Sequence, residues 1–446
     1  MIAFGATVYL ARVLGVDGYG VIALAAGLTL YLAQVADFGI EAIGIREIAQ
    51  DPQRLGTLGG PILGARLAVA SVVAAITAAI SLIVLPAPEG PVLAAYSLIL
   101  LPVAISTRWV HLGNESARPV AVARVVGEAV MVSLVLATVA DAGDLIRVPL
   151  SQFTGDLTAA ILLLYAVART GTRLRIGWNP TRASGVLRRA WPLVAHALLG
   201  LLIYNSDLLF IRGFMGRASV GYYAAAYTII SFLLNLGVAY MQSLLPTLTR
   251  QGAGTAGEKN FVASSYALVF AAGLPTAVGG AMLSRHIVGT LFGPEYAPAA
   301  GALGILIWSI PISLFRNVGI AALIARDRQD LVLRTTTGSV VANLLLNLAL
   351  IPILGIVGAA AATVMTEAIR TTLSVRYVCN SGLPGLPVAR FWKPAVAAIV
   401  LAVVIVIAPT QNLWLLVASG AAAYLTAMIA LRAIVFEGGK LPSVRL

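Results

Sequence analysis

Residues 205–250, NSDLLFIRGFMGRASVGYYAAAYTIISFLLNLGVAYMQSLLPTLTR, decide how the rest of the chain is read. An apolar run ends in an arginine and a glycine-containing turn. A second apolar run then starts and continues to Pro246 and Arg250. This is the pattern of one membrane helix closing, a tight connection, and another helix opening. Residues 8–47, VYLARVLGVDGYGVIALAAGLTLYLAQVADFGIEAIGIRE, repeat it. Arg12 answers Arg212, Gly15 answers Gly216, and Gly18-Tyr19 answers Gly221-Tyr222. The offset of about 200 residues implies a chain built from two similar halves.

Outward from these stretches, composition restricts the class. Of 446 residues, 59% are hydrophobic and 11% charged, which excludes an ordinary soluble domain. Apolar runs of about 20 residues recur, each long enough to cross a hydrocarbon core of about 30 Å as a helix. Short alternating segments of the β-barrel type are not the pattern here. The first half reads as helices at 1–14, 19–44, 61–85, 91–112, 120–140 and 147–168. The first of these is shorter than a full span. It lacks the basic start of a signal peptide. The second half reads as 191–214, 220–246, 261–284, 298–324, 331–353 and 356–379, and segments near 394–408 and 413–435 have no counterpart in the first. The expectation is an all-α integral membrane protein of about fourteen helices. Its parts are an N-terminal lobe (1–168), a basic linker (169–190) with six arginines and no acid, a C-terminal lobe (191–379), and two further helices with a tail (380–446).

The formal charge of +12 reflects topology rather than a nucleic-acid surface, because the basic residues lie between apolar runs. Only Arg12, Arg147, Arg212, Arg217 and Arg285 fall on one side of this arrangement. The other 25 of the 30 basic residues fall on the opposite side, which the positive-inside rule assigns to the cytoplasm together with both termini. Cys379 is alone, so no disulfide forms within the chain. His111, His196 and His286 are scattered without metal-site spacing, and no cofactor is expected.

At this point the residues match a known family. ARVLGVDGYG at 11–20, ADFGIEAIGIREIA at 36–49 and SDLLFIRGFMGRASVGYYAAAY at 206–227 carry the resemblance. LFGPEYAPAAGALGIL at 291–306, ALIARDRQ at 322–329 and NLLLNLALIPILGIVGAAAATVMTEA at 343–368 extend it over nearly the whole chain. The sequence resembles the Wzx-type polysaccharide flippases of O-antigen and exopolysaccharide synthesis, within the multidrug/oligosaccharidyl-lipid/polysaccharide (MOP) superfamily. The resemblance implies a MATE-like fold of two six-helix lobes around a central cavity, rocking by alternating access. It implies a polyprenyl-diphosphate oligosaccharide as cargo, in the cytoplasmic membrane, with polysaccharide polymerase machinery as a downstream partner. Paired repeats with a site at their interface are a recurrent transporter design, which agrees with the repeat.

Charge within apolar runs marks the candidate site, because an ionisable group inside a bilayer is costly unless it has work or a partner. Arg46, Arg66, Arg124, Arg316 and Arg370 are candidates for binding the diphosphate, since a guanidinium offers a planar fork of donors to phosphate oxygens. Arg46, Arg66, Arg124 and Arg316 are expected to project between the lobes. Headgroup snorkelling is the competing role for these arginines, and for Arg108 and Arg334. Arg124 with Glu128 is spaced i,i+4 and Glu367 with Arg370 i,i+3, so each is a neutralised pair or a switch that releases its arginine when a diphosphate arrives.

Asp37 and Glu41, read as two acids on one face of the second helix, and Asp207 in the seventh are candidates for gating or for coupling to H⁺ or Na⁺. Capping of neighbouring helices, or pairing with Arg12 and Arg212, is the structural alternative. Asn343 and Asn347 read as bonds between helices, and Pro102, Pro275 and Pro311 as bends. Two other transport readings share the fold: a cation-coupled MATE-type multidrug exporter and a lipid II flippase. A membrane-embedded glycan polymerase would need a larger external loop than the 5 to 13 residues read here, and no G-x-x-x-x-G-K-[ST] phosphate loop occurs. The chain is therefore read as a transporter rather than an enzyme.

Overall fold

The computed structural model describes residues 2–169, 194, 198, 206–251, 254–435 and 443–444. The expected linker 169–190 lies outside these residues except for Arg169, as does most of the expected helix 191–214. The described chain is helical apart from one antiparallel two-residue pairing of Ile434–Val435 with Ser443–Val444. Ten helical stretches among the described residues are long and apolar enough to cross a membrane. The chain is a multi-pass membrane protein. It divides into two compact units, Met1–Leu209 and Phe210–Leu446.

The first unit begins with α1 (Ile2–Asp37), interrupted at Gly15, whose backbone is non-helical at φ 67° and ψ 179°. Its repeat counterpart Gly216 also has a positive φ, 91°, in front of α10 (Arg217–Gln251). A positive φ carries little steric cost without a Cβ, so the same residue type makes the same break in both copies of the repeat.

A second break falls at Phe38 and Gly39, with φ of 49° and 67°. The expected helix 19–44 is therefore two helices, α1 and the short α2 (Ile40–Gln50), and Asp37 and Glu41 do not share one helix face. α3 (Leu55–Val84) follows. The expected helix 91–112 is likewise three pieces, α4 (Glu89–Ser97), α5 (Leu100–Ile105) and α6 (Arg108–Gly113). Pro102 sits in the middle piece, where its missing N–H removes a helical bond. α7 (Ala117–Thr138) and α8 (Arg147–Ala168) complete the unit. Its core joins Leu10, Leu14 and Ile22 of α1 to Val92 and Tyr96 of α4 and Val135 of α7.

After a helical stretch at 206–215, α9, the second unit contains α10, α11 (Ala256–Met282), the short α12 (Ser284–Leu291), α13 (Ala299–Leu306) and α14 (Ser309–Ala325). Its longest element, α15 (Gln329–Asn380), has 52 residues. At 1.5 Å per residue it would reach about 78 Å, more than twice the hydrocarbon core. Gly355, non-helical at φ 62° and ψ −139°, divides it. Asn343 before the break donates to Thr366 after it at 3.3 Å, so the two arms lie side by side. Asn347 donates to Asn343 at 3.1 Å one turn away on the same arm, so of the two expected to bond between helices only Asn343 is seen bonded across the break. α16 (Trp392–Ile407) and α17 (Leu413–Ala430) end the described helices.

The outer surfaces are apolar. Ile83 is 83% exposed, Ile353 78% and Val406 73%, an arrangement that only a hydrocarbon solvent covers without loss.

Candidate functional site

The first unit brings charged side chains from six helices to one place. Arg66 comes from the middle of α3, where Gly59, Gly60, Gly64 and Ala65 keep the helix surface low. Its side chain is 1% exposed. A lone guanidinium so buried would be untenable, and the breaks described above supply its partners. One terminal nitrogen donates to the Ser106 carbonyl at 3.0 Å and the other to Val103 at 3.1 Å, both freed where α5 ends. Asp37 lies 2.9 Å from the guanidinium and Glu41 3.9 Å. Glu41 also meets Arg108 of α6 at 3.3 Å. The Asp37 carboxylate accepts from the Glu41 N–H at 3.4 Å, and so also caps α2. Thus the two acids converge because the helix breaks between them, and they pair with Arg66 and Arg108.

Beside this cluster, Arg124 and Glu128 of α7 form the expected pair at 3.0 Å, with Arg124 79% exposed. Asp156 of α8 lines the same cleft as Glu128, each next to one glycine of the close Gly127–Gly155 contact. Glu41, Arg66, Arg108, Arg124, Glu128 and Asp156 all line one cleft of about 470 Å³. Three guanidinium groups thus meet three carboxylates at the wall, and the cleft is charged but close to balanced. A cleft of this volume holds a sugar phosphate or a diphosphate. Arg108, a membrane-depth arginine for which headgroup snorkelling is the competing role, lines the cleft, and so does Asp156, which no motif marks. Its position in the middle of an apolar span is the signal that would have found it.

The second unit holds a separate cluster. Glu367 accepts from Arg316 of α14 at 2.9 Å, from Ser313 at 2.9 Å and from Arg370 at 2.7 Å, all buried. The expected i,i+3 pair is present, and Arg316 makes it a triad with an excess of one positive charge. Such an arrangement withstands burial only because the acceptor oxygens are shared between charged donors. Outside both clusters, Arg46 is exposed on α2, and Asp207 is buried in α9. Among the described residues no group of three His, Cys, Asp or Glu side chains has the arrangement of a metal site.

Comparison with known proteins follows the same lines. The model of a family described as polysaccharide biosynthesis protein matches residues 1–251, more than half of the chain. The probable flippase AglR of Haloferax volcanii is 25% identical over 264 residues, covering 57% of this chain and 54% of that protein. The probable low-salt glycan biosynthesis flippase Agl15 of the same organism is 25% identical over 236 residues, covering 49% of each. The chain spans about half the length of the curated relatives it matches. Among solved structures, the lipid II flippase MurJ in an inward closed conformation superposes with a TM-score of 0.78 at 12% identity, over 97% of both chains. An inward-facing multidrug resistance MATE family transporter of the MOP superfamily superposes with a TM-score of 0.65 at 13% identity, over 85% of this chain and 94% of that one. At such identities the likeness establishes the fold.

Proposed function

Given that the chain belongs to the polysaccharide biosynthesis protein family, we propose that it flips a polyprenyl-diphosphate-linked oligosaccharide across the cytoplasmic membrane for surface polysaccharide synthesis. The observation that carries this reading is the meeting of Arg66, Arg108 and Arg124, from three separate helices, at one cleft in a membrane-spanning unit. A diphosphate entering a low-dielectric passage needs such donors, and a carrier of lipophilic cations is poorly served by them. The flippase names of the relatives agree with it, and they favour it over the multidrug and lipid II readings.

In this proposal the protein is a transporter that makes and breaks no covalent bond. The lobes 1–168 and 191–379, joined by the cytoplasmic linker 169–190, rock by alternating access, with both termini in the cytoplasm. Arg66 and Arg124 receive the diphosphate in the first unit. Arg316 and Arg370 engage it when Glu367 releases them, and Arg46 meets it at the surface. Asp37, Glu41, Glu128, Asp207 and Glu367 are the groups through which gating or an H⁺ or Na⁺ gradient acts. Polymerase machinery takes up the product outside.

The test is mass spectrometry of lipids from cells depleted of the protein, with the surface glycan assayed in parallel. The expected result is accumulation of a polyprenyl diphosphate oligosaccharide with loss of surface polymer. An unchanged lipid pool in cells newly sensitive to cationic dyes would overturn the reading in favour of a multidrug exporter.

A further inference from the structure

The cleft in the first unit has one wall whose charges do not cancel. α7 and α8 meet backbone to backbone at Gly127 and Gly155. A Cβ on Gly127 would stand 2.7 Å from the Gly155 carbonyl oxygen, and one on Gly155 2.6 Å from that of Gly127. This contact sets the next residues, Glu128 and Asp156, side by side at the cleft. Both lie mid-span, about 14 to 18 Å from either end of their helices at 1.5 Å per residue. Each guanidinium of the cleft already has a carboxylate partner: Arg66 has Asp37 and Glu41, Arg108 has Glu41, and Arg124 has Glu128. Among the described residues no ion pair involves Asp156. Two carboxylates therefore share this wall, and its one guanidinium, Arg124, pairs with Glu128. Gln152, one turn before Asp156 on the same face of α8, adds an amide oxygen to the same wall.

A second, independent observation comes from the other charge sign. Arg66 lines the same cleft and is 1% exposed, and its buried Nε has no hydrogen-bond acceptor among the described residues. That donor is sealed from solvent, whereas Arg108 in the same cleft, 55% exposed, gives one nitrogen to Glu41 and keeps its other donors open to an anionic oxygen. The cleft thus calls for an acceptor beside Arg108 of α6 and for a cationic donor at its α7–α8 wall.

We infer that this cleft selects a sugar phosphate carrying a free, protonated amine. The ammonium group has three donors and no acceptor, matching Glu128, Asp156 and Gln152. The phosphate takes the Arg108 donors that Glu41 leaves open. A divalent metal would require more hard oxygen ligands than this wall offers, and the described residues hold no cluster of three metal-ligating side chains. The inference rests on the flippase reading for how such a glycan arrives, on its lipid carrier, and it names the chemical class of that cargo: an oligosaccharide containing an unacetylated amino sugar.

The test uses the purified full-length protein in detergent and three soluble probes: glucosamine 1-phosphate, N-acetylglucosamine 1-phosphate and glucose 1-phosphate. Glucosamine 1-phosphate is expected to bind at least about tenfold more tightly than the other two, the worth of a hydrogen bond to a charged group. Asp156→Asn removes that advantage, read as the ratio of the affinities for glucosamine 1-phosphate and glucose 1-phosphate, and Asp156→Glu keeps it. Size-exclusion profiles and thermal midpoints of the variants separate loss of recognition from loss of fold. Equal affinity for the three probes, no binding of the amine, or an amine preference that survives in Asp156→Asn overturns the inference. Amine selectivity without any change in the lipid-linked pool of depleted cells would instead leave the site standing and remove the flippase reading.

Discussion

Glu367 of α15 accepts from Arg316 of α14 at 2.9 Å, with both side chains at 10% exposure or less, so a buried charge contact joins two helices that the sequence separates by 51 positions. Glu367→Gln leaves Arg316 and Arg370 facing each other without a counter-charge. It is expected to cost about 3–5 kcal/mol of stability, read as a lowered thermal midpoint in detergent. Replacing the whole triad with apolar residues, Arg316→Met, Glu367→Leu and Arg370→Met, is expected to restore most of that loss, because the desolvation cost leaves with the charges. An unchanged midpoint in Glu367→Gln would show that the triad contributes nothing to folding.

The glycine contact of α7 and α8 makes a sharper prediction. Gly127→Ala forces the helices apart and is expected to destabilise by about 1–3 kcal/mol. Gly338→Ala, at a helical glycine of α15 with nothing within 4 Å of the added Cβ, is expected to stabilise by about 0.5–1 kcal/mol. Chemical denaturation of the two variants side by side checks the sign of each.

Arginine at two places in the same cleft is predicted to matter in different ways. Arg66→Lys loses the fork that reaches Val103 and Ser106 together, and is expected to cost about 1–3 kcal/mol through the carbonyl left unpaired. Arg124→Lys, at a position 79% exposed, is expected to leave the thermal midpoint within about 0.5 kcal/mol of the parent. Export of the surface glycan is expected to fall in both variants, because a point-charge ammonium cannot reproduce bidentate phosphate binding. Full export in Arg124→Lys would take that residue out of the proposed path.

Acid is expected to loosen the connection between α7 and α8. The Asp144 carboxylate accepts from the Ala140 N–H at 2.9 Å and the Asp141 N–H at 3.3 Å, and it pairs with Arg147 at 2.8 Å. The Ala140 donor, with the other two, holds the carboxyl below its ordinary value of 3.8. Its folded value being the lower one, Asp144 stabilises the loop fully above the ordinary value. That contribution is lost as pH falls through the depressed folded value. Amide exchange in residues 139–145, corrected for its intrinsic pH dependence, is expected to rise below about pH 4, and Asp144→Asn is expected to abolish the pH dependence.

Much of this molecule was legible from the order of its residues. Spans of apolar residues mark membrane helices because an unpaired backbone group in hydrocarbon is costly and a helix pairs nearly all of them internally. The glycines at 15 and 216 could be matched by sequence alone, and both adopt a positive φ. The i,i+4 pair Arg124–Glu128 and the i,i+3 pair Glu367–Arg370 followed from helical periodicity, which fixes neighbours one turn apart. Helix continuity was less legible. The break between α5 and α6 depends on Arg66, which satisfies the Val103 and Ser106 carbonyls from a distant helix, and the break at Phe38 and Gly39 on two residues with positive φ.

The sequence by itself therefore determined the solvent, the helical class, the repeat and the family resemblance, all of which rest on composition, spacing and local motif. Only the tertiary structure decided which charges meet. Asp37 and Glu41 pair with Arg66 and Arg108, Arg316 joins Glu367, and Asp156 comes to line the same cleft as Glu128. Such pairings join residues that lie from 25 to 67 positions apart. They are set by where helices break and how closely small residues let them pack, which no periodicity along the chain encodes.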